Sequence, residues 1–216
     1  MIPKLGILLP TRGVLMSATN LQDIETILEM AQISEQAELD SVWVGDSLTA
    51  KPRLEPLSTL SAIASRTQNV RLGTAVLLAA LRHPVALAQT AGTLDLISSG
   101  RTVLGMGVGG AFTPSQQQEW HNVGVEPASR ASRFEEVVDI TKRLSRGEIT
   151  THQGRHFNLD SVKVEPKSTQ PNGIPMLIAC HWQTGKETPF QRAARLGDGF
   201  ISITDSPEEY ARVVDK

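Results

Sequence analysis

Residues 70–110 constrain the fold of this chain more than any other stretch. An apolar run at 70–78 is followed by His83 and Pro84, and a proline at the first helical position gives up an N–H that has no partner there. A glycine ends the predicted helix, and 102–104 is a second apolar run. The order strand, helix, strand predicts a βαβ unit with two buried, parallel strands.

Four glycines follow the second strand of this unit, at positions 105, 107, 109 and 110. Because they have no Cβ atom, backbone N–H groups can approach an anion or a flat ring, so we expect a ligand-binding loop here. The spacing G-x-G-x-x-G also matches the dinucleotide fingerprint, which requires a helix at the third glycine and an acid after the next strand. Neither follows here, so the match is weak.

The same alternation of strands and helices continues on both sides of this unit. Further strands are predicted at 5–9, 41–45, 175–179 and 199–203. Further helices are predicted after a capping box at Asn20 and Asp23, from Glu55 to Asn69, at 127–146, at 188–196 with Thr188 and Gln191 as its box, and from Ser206.

Six β/α repeats predict an α/β fold, with a (β/α)8-type, TIM-like barrel as the leading architecture and a doubly wound open sheet as the alternative. A closed barrel usually has eight strands, so the last two are either truncated or naturally missing. We expect one domain over 1–216, an irregular insertion or lid at 111–126, and a connector with a hairpin at 147–175.

Composition excludes several classes of function. The chain has 216 residues, 40% of them apolar, and a net charge of −2 with dispersed Lys and Arg, which argues against nucleic acid as a partner. No apolar run approaches the roughly 18 residues that a membrane span needs, and no signal peptide is recognisable, so we expect a cytoplasmic protein with no membrane partner. The single Cys180 agrees with a reducing compartment.

One short motif favours a different chemistry. Residues 45–48 spell the GDSL signature of serine hydrolases, in which Ser47 would be the nucleophile. The other sequence blocks of that family, which carry its histidine and acid, are absent. We therefore interpret Ser47 as a loop residue and keep the hydrolase only as a less favoured alternative.

Polar residues at strand ends are the candidates for catalysis, because catalytic groups of barrels collect there. Asp46 follows the second strand and either contacts a ligand or caps the next loop. His181 follows the fifth strand and either stacks on a ring, moves a proton or is a solvent-exposed loop residue. His83 is interpreted as a helix cap, and Asp95 as the ion-pair partner of Arg101. Metal binding is not expected, since the His and acidic residues lack ligand spacing.

With these residues in view, the chain resembles the luciferase-like oxidoreductase family, which includes flavin-dependent monooxygenases and deazaflavin-dependent reductases. The matching elements recur in order along nearly the whole chain. They are DSVWVGDS at 40–47, RHP at 82–84, TLD-x-x-S-x-GR at 93–101, RASRFEEVVDITKRL at 130–144, G-x-x-F at 154–157 and AARLGDGF at 193–200. The stretch VWVGDSL with PRLEPL is most similar to the deazaflavin-dependent members.

The resemblance implies a barrel that binds coenzyme F420 or reduced FMN at the carboxyl ends of its strands and acts on a small organic substrate. Hydride transfer is implied with F420 and oxygenation with reduced FMN. A flavin-binding protein without turnover remains the alternative if the barrel is incomplete, and a homodimer is expected. The cofactor-binding positions that the resemblance implies are Thr74, Ala75, Val76, Gly107, Val108, Gly109, Thr184, Gly185 and Lys186.

Two features of this site are predicted more closely. The peptide bond between Ala75 and Val76 is expected to be cis or strongly distorted, with its backbone against the cofactor ring. The phosphate of the cofactor is expected at 184–186, ahead of a helix N-terminus, because Lys186 adds a positive charge there and the glycine loop has none nearby.

Overall fold

The computed structural model describes residues 4–17, 24–203 and 205–215. Six strands of the described chain form one parallel sheet. They are β1 (Gly6–Leu8), β2 (Ser41–Val44), β3 (Arg71–Leu77), β4 (Thr102–Met106), β7 (Met176–Ala179) and β8 (Gly199–Ile201). A separate antiparallel hairpin is formed by β5 (Thr150–Gln153) and β6 (Asn158–Val162).

Eight α-helices are described. They are α1 (Thr11–Ser17), α2 (Glu25–Gln36), α3 (Pro56–Ala64), α4 (Pro84–Ile97), α5 (Pro114–Asn122), α6 (Arg130–Ser145), α7 (Thr188–Leu196) and α8 (Pro207–Val214). The predicted N-cap His83 is confirmed, because its Nδ1 accepts a hydrogen bond from the backbone N–H of Val85 at 3.3 Å. Ser206 caps α8 through a capping box with Glu209, as the sequence predicts.

The strand order β1-β2-β3-β4-β7-β8 follows the order of the chain without a reversal. A doubly wound sheet reverses its order at a switch point, so that alternative is wrong and the sheet is a curled half-barrel. Within the described residues β1 and β8 each pair on one side only, and the closed barrel is not seen. Leu8 of β1 is 56% exposed for this reason, although an apolar strand is expected to be buried.

The core lies between the sheet and its helices. All five residues of β4 are buried, as expected for a central parallel strand covered on both faces. Helix α6 buries an apolar stripe that includes Phe134, Val137 and Val138. This packing fixes the carboxyl ends of β3, β4 and β7 beside one another.

Strand β3 departs from regular pairing where the cofactor ring is expected. Its register with β4 shifts between Thr74 and Leu77. The peptide bond between Ala75 and Val76 is cis, so this prediction is confirmed. The hydroxyl of the buried Thr74 donates to the carbonyl of Gly105 at 2.8 Å, which ties the start of the irregular segment to β4.

Three predictions about helices are corrected. Helix α1 is missing from the prediction, and the segment 111–126 is not irregular, because it contains α5. The sequence signal for α5 was present, since Thr113 and Gln116 form a capping box around Pro114. Helix α7 begins at Thr188 as predicted, but no side-chain cap is formed there. The box predicted at 20–23 lies outside the described residues.

The predicted ion pair between Asp95 and Arg101 is wrong. The carboxylate of Asp95 is buried and accepts hydrogen bonds from the 168–170 segment. The guanidinium of Arg101 instead donates to the carbonyls of Ala64, Thr67 and Val70 at 3.1, 2.9 and 2.9 Å. Arg101 therefore closes the carboxyl end of α3, where backbone carbonyls lack helical partners.

Candidate functional site

A cleft of about 690 Å³ opens at the carboxyl ends of β3, β4, β7 and β8. This volume falls within the roughly 300–1,000 Å³ of small-molecule sites. The floor is apolar, with Val76, Leu78 and Ala179, and the rim carries polar and cationic side chains. The predicted positions that line the cleft are Val76, Gly107, Val108, Gly109, His181 and Lys186.

The glycines of the 105–110 loop are required by packing within the protein itself. A Cβ atom on Gly107 would lie 2.7 Å from Cγ2 of Val76, and one on Gly109 would lie 2.9 Å from the indole of Trp120. Gly109 also has a φ of +81°, a region that favours glycine. The loop therefore packs closely on the irregular part of β3, and this packing brings its backbone to the wall of the cleft.

Three cationic side chains line the cleft where α6 and α7 meet: Lys186, Arg130 and Arg192. Arg130 Nε donates to the carbonyl of Gly109 at 3.2 Å, so the expectation that the glycine loop has no positive charge nearby is wrong. Arg192 is buried and pairs with Glu135 at 2.9 Å. An anionic group on this side of the cleft would meet positive charge from two helices and one loop.

The predicted phosphate segment is only partly in place to bind an anion. Residues 182–184 form a 3-10 helix, and Gly185 follows in the left-handed region with a φ of +62°. The N–H of Gly185 donates to the carbonyl of Trp182 at 3.2 Å. Of the predicted residues 184–186, Lys186 lines the cleft, together with Thr188 and Pro189 at the start of α7, and the side chain of Thr184 is not among those that the structure describes.

His181 lies at the mouth of the cleft, after β7. Its Nδ1 accepts a hydrogen bond from the N–H of Ile203 at 3.2 Å, so the neutral ring carries its proton on Nε2. Beside it, burial and the charge of Asp205 raise the pKa of the Cys180 thiol to about 11. Cys180 is therefore a neutral thiol at pH 7.

Asp46 does not line the cleft. Its side chain is 1% exposed and accepts hydrogen bonds from Arg82 Nη1 at 2.5 Å, Arg82 Nη2 at 3.1 Å and the N–H of Leu78 at 2.9 Å. The bidentate pair holds the turn that follows β3 and so positions the cleft floor. The catalytic assignment of Asp46 stays a prediction.

The GDSL segment is bound by an acid that sequence reasoning overlooked. Glu119 of α5 is 3% exposed, and its Oε1 accepts from the N–H groups of Leu48, Thr49 and Ala50 at 2.6–3.0 Å and from the Ser47 hydroxyl at 3.0 Å. Ser47 therefore helps to anchor a loop, as interpreted. Burial raises the pKa of Glu119, but these four donors outweigh it and hold that pKa below its usual value.

We expect Glu119→Ala to destabilise the protein by about 2 kcal/mol at pH 7, because it leaves four partly buried donors without their acceptor. Because the pKa of Glu119 is lowered by folding, its contribution is present above the unfolded pKa and is lost as the pH falls through the folded pKa. The melting temperatures of the parent protein and of Glu119→Ala, measured from pH 7 downward, should therefore become equal in acid.

The matched control is Glu126→Ala, since Glu126 is an exposed glutamate near the same helix. It should melt within a degree or so of the parent protein at every pH, as expected for an exposed surface side chain. A Glu119→Ala melting point equal to that of the control at pH 7 would show that the loop does not depend on this carboxylate.

Other chemistries find little support in the described residues. No group of three or more His, Cys, Asp or Glu side chains in that part of the chain has an arrangement that could hold a metal ion. None of the helices described for the chain is long and apolar enough to cross a membrane. The cleft is therefore the candidate ligand-binding site of the described part of the chain.

Sequence reasoning identified the cleft walls and missed much of its charge. Arg192 had a usable signal, because a helix that begins at Thr188 places position 192 one turn later on the same face. Both residues line the cleft. Arg130 gave no comparable signal, since only the tertiary packing of α6 against the glycine loop brings it there.

Comparison with known proteins agrees with this geometry. A family model described as luciferase-like monooxygenase matches residues 3–216. The chain is 32% identical over 184 residues to an F420-dependent glucose-6-phosphate dehydrogenase of Kineococcus radiotolerans, covering 81% of this chain and 51% of that protein. It is 30% identical over 155 residues to 4-hydroxyprotoasukamycin monooxygenase of Streptomyces nodosus subsp. asukaensis, covering 70% of this chain and 40% of that protein.

A solved structure shows the same fold. The monooxygenase RslO1 from Streptomyces bottropensis matches with a TM-score of 0.83 and 25% identity, covering 99% of this chain and 64% of that one. The chain spans about half the length of the curated relatives that it matches. The fold is thus shared, and the relatives continue beyond the matched region.

Proposed function

Because the chain belongs to the luciferase-like monooxygenase family, we propose that it is an oxidoreductase that binds coenzyme F420 or FMN in the cleft at the carboxyl ends of its strands. The observation that carries this proposal is the cleft itself, which joins an apolar floor at the irregular part of β3 to a cationic side. A flat ring with an anionic tail has these same two parts. The residues present therefore fit the cofactor.

Each part of the cleft has a role in this proposal. The ring lies between the backbone at Ala75 and Val76 and the 107–109 loop. The apolar floor of the cleft excludes water from the ring. Lys186, Arg192 and Arg130 hold the anionic tail, helped by the N-terminus of α7. Asp46 positions the turn after β3 through Leu78 and Arg82.

A bound deazaflavin supplies hydride transfer, and reduced FMN supplies reaction with dioxygen. A side chain of the protein has to accept or donate the substrate proton, and we propose that His181 does so. In oxidation of an alcohol, His181 would accept the hydroxyl proton at Nδ1 and give up its hydrogen bond from the Ile203 N–H, and a bound deazaflavin would be the acceptor of the substrate's hydride. Its position at the mouth of the cleft suits it to this step.

The test is a fluorescence titration of the purified protein with F420 and, separately, with FMN. We expect saturable one-to-one binding of one of them, at least about tenfold tighter than the other, because the family divides between the two cofactors. Absence of saturable binding by both would contradict the proposed function. Binding followed by no turnover with a panel of alcohols, or with dioxygen, would favour the flavin-binding protein without turnover.

A further inference from the structure

Two arginines lie at the carboxyl ends of β1 and β2, away from the cationic side of the cleft. Arg12 is in the first turn of α1, directly after β1, and Arg53 follows β2. These two strands are neighbours in the sheet. A Cβ atom on Gly45 would lie 2.6 Å from Arg53 Nη1 and 3.5 Å from the carbonyl oxygen of Ala75. The Arg53 guanidinium therefore packs beside the cis peptide at the expected ring position.

These arginines lack the partners that the other buried or half-buried arginines have. Arg12 Nε is buried and has no hydrogen-bond acceptor among the described residues. Neither guanidinium forms an ion pair in residues 4–17, 24–203 and 205–215. The carboxylate of Asp46 is near, but it is bound to Arg82 and Leu78.

The two positive charges also act on each other. Burial lowers the pKa of Arg53, the charge of Arg12 lowers it further, and Asp46 opposes the shift. Like charges held together in partly desolvated positions destabilise the folded protein unless an anion compensates them. A buried donor without an acceptor adds to that cost. An oxyanion between the two guanidinium groups would relieve both penalties.

We propose that Arg12 and Arg53 form a subsite for an oxyanion group, a carboxylate or phosphate, carried by the substrate. This inference rests on the proposed function. If the cofactor ring lies beside Ala75, a ligand held by these arginines lies next to the ring and is therefore the substrate. Guanidinium groups suit such a ligand, since their planar N–H pairs match carboxylate and phosphate oxygens. The substrate anion would therefore bind beyond β1 and β2, apart from the cleft cations Lys186, Arg130 and Arg192.

The test is calorimetric titration of the protein with inorganic phosphate at constant ionic strength and without cofactor. A Lys186→Gln background weakens the proposed cofactor-phosphate position, and the further loss caused by a second substitution at Arg12 or Arg53 reports on the arginine pair. Adding Arg12→Gln or Arg53→Gln should weaken phosphate binding about tenfold or more, and Arg53→Lys should weaken it less, since Lys keeps the charge without the planar fork. Circular dichroism confirms that each variant is folded.

The matched control is Arg66→Gln, which removes an exposed arginine that pairs with Glu25. It should leave phosphate binding unchanged within about twofold. An equal loss in the control, or no loss in either arginine variant, would overturn the proposal.

A second measurement shows whether the anion at Arg12 and Arg53 belongs to the substrate or to the cofactor. In the Arg12→Gln and Arg53→Gln single variants, the affinity for F420 or FMN should stay within about threefold of the parent value. A loss as large as that of Lys186→Gln would assign the anion to the cofactor and overturn the substrate subsite. If the parent protein binds neither cofactor, the proposed function fails, while the phosphate titration still decides whether the arginine pair binds an oxyanion.

Discussion

Replacing Lys186 by Glu is expected to weaken FMN binding about 50-fold or more and to change riboflavin binding by less than about threefold, because only FMN carries a phosphate dianion. Lys186 lines the cationic side of the cleft with Arg192 and Arg130. Reversing its charge removes an attraction and adds a repulsion. The side chain is exposed, so solvent and salt reduce the effect below the value for a buried pair.

The measurement is fluorescence quenching of both ligands at low and at moderate salt, with the difference between them shrinking as salt rises. Lys163→Glu is the control, since Lys163 is exposed and lies outside the cleft. Lys163→Glu makes the same change of charge, and it should lower the affinities for FMN and for riboflavin slightly and by the same factor. Equal losses of FMN and riboflavin in Lys186→Glu, or no loss of either, would place the phosphate elsewhere.

Strands of the sheet were predictable because each is a short apolar run with a turn signal at its end. The four strands β2, β3, β4 and β7 carry their burial pattern in the sequence itself, since parallel strands inside the sheet are covered on both faces. The exposure of β1 was not predictable, because it depends on which strand pairs with its outer edge. Closure of a barrel is likewise a property of the whole sheet rather than of one segment.

The candidate site was predictable only in part, for a physical reason. Backbone features such as the bend at Ala75 and Val76 accompany a local sequence pattern and were anticipated through the family resemblance. Side chains that reach the cleft from helices, such as Arg130, depend on how each helix packs. Gly107 and Gly109 line the cleft, but packing on Val76 and Trp120 already requires glycine at both positions, so their role in cofactor binding stays a prediction.

Asp95 shows how local sequence can mislead. The nearby Arg101 suggested an ion pair across the end of α4. The carboxylate oxygens of Asp95 instead accept hydrogen bonds from the distant 168–170 segment. The carboxylate accepts from Ser168 Oγ at 2.8 Å, from Thr169 N and Oγ1 at 2.8 and 2.9 Å, and from Gln170 Nε2 at 2.8 Å. Four donors outweigh the unfavourable position of an acid near a helix C-terminus.

We therefore expect Asp95→Ala to lower the free energy of unfolding by about 4 kcal/mol, since it leaves several buried donors unpaired. For a chain of this size that corresponds to a melting point lower by roughly 10 °C. Asp95→Asn should cost less, because one oxygen still accepts from part of the cluster. Chemical denaturation followed by circular dichroism gives both values.

The matched control is Asp139→Ala on α6, where the carboxylate is 48% exposed and its i+4 partner Arg143 lies 3.8 Å away. Such a pair contributes roughly 0.5 kcal/mol or less. Gln170 also donates to the carbonyl of Thr102 at the amino end of β4, so the cluster lies at the opposite end of the sheet from the cleft. Folded Asp95→Ala should therefore keep its cofactor affinity, and a loss of stability below about 1 kcal/mol would show that water replaces the carboxylate.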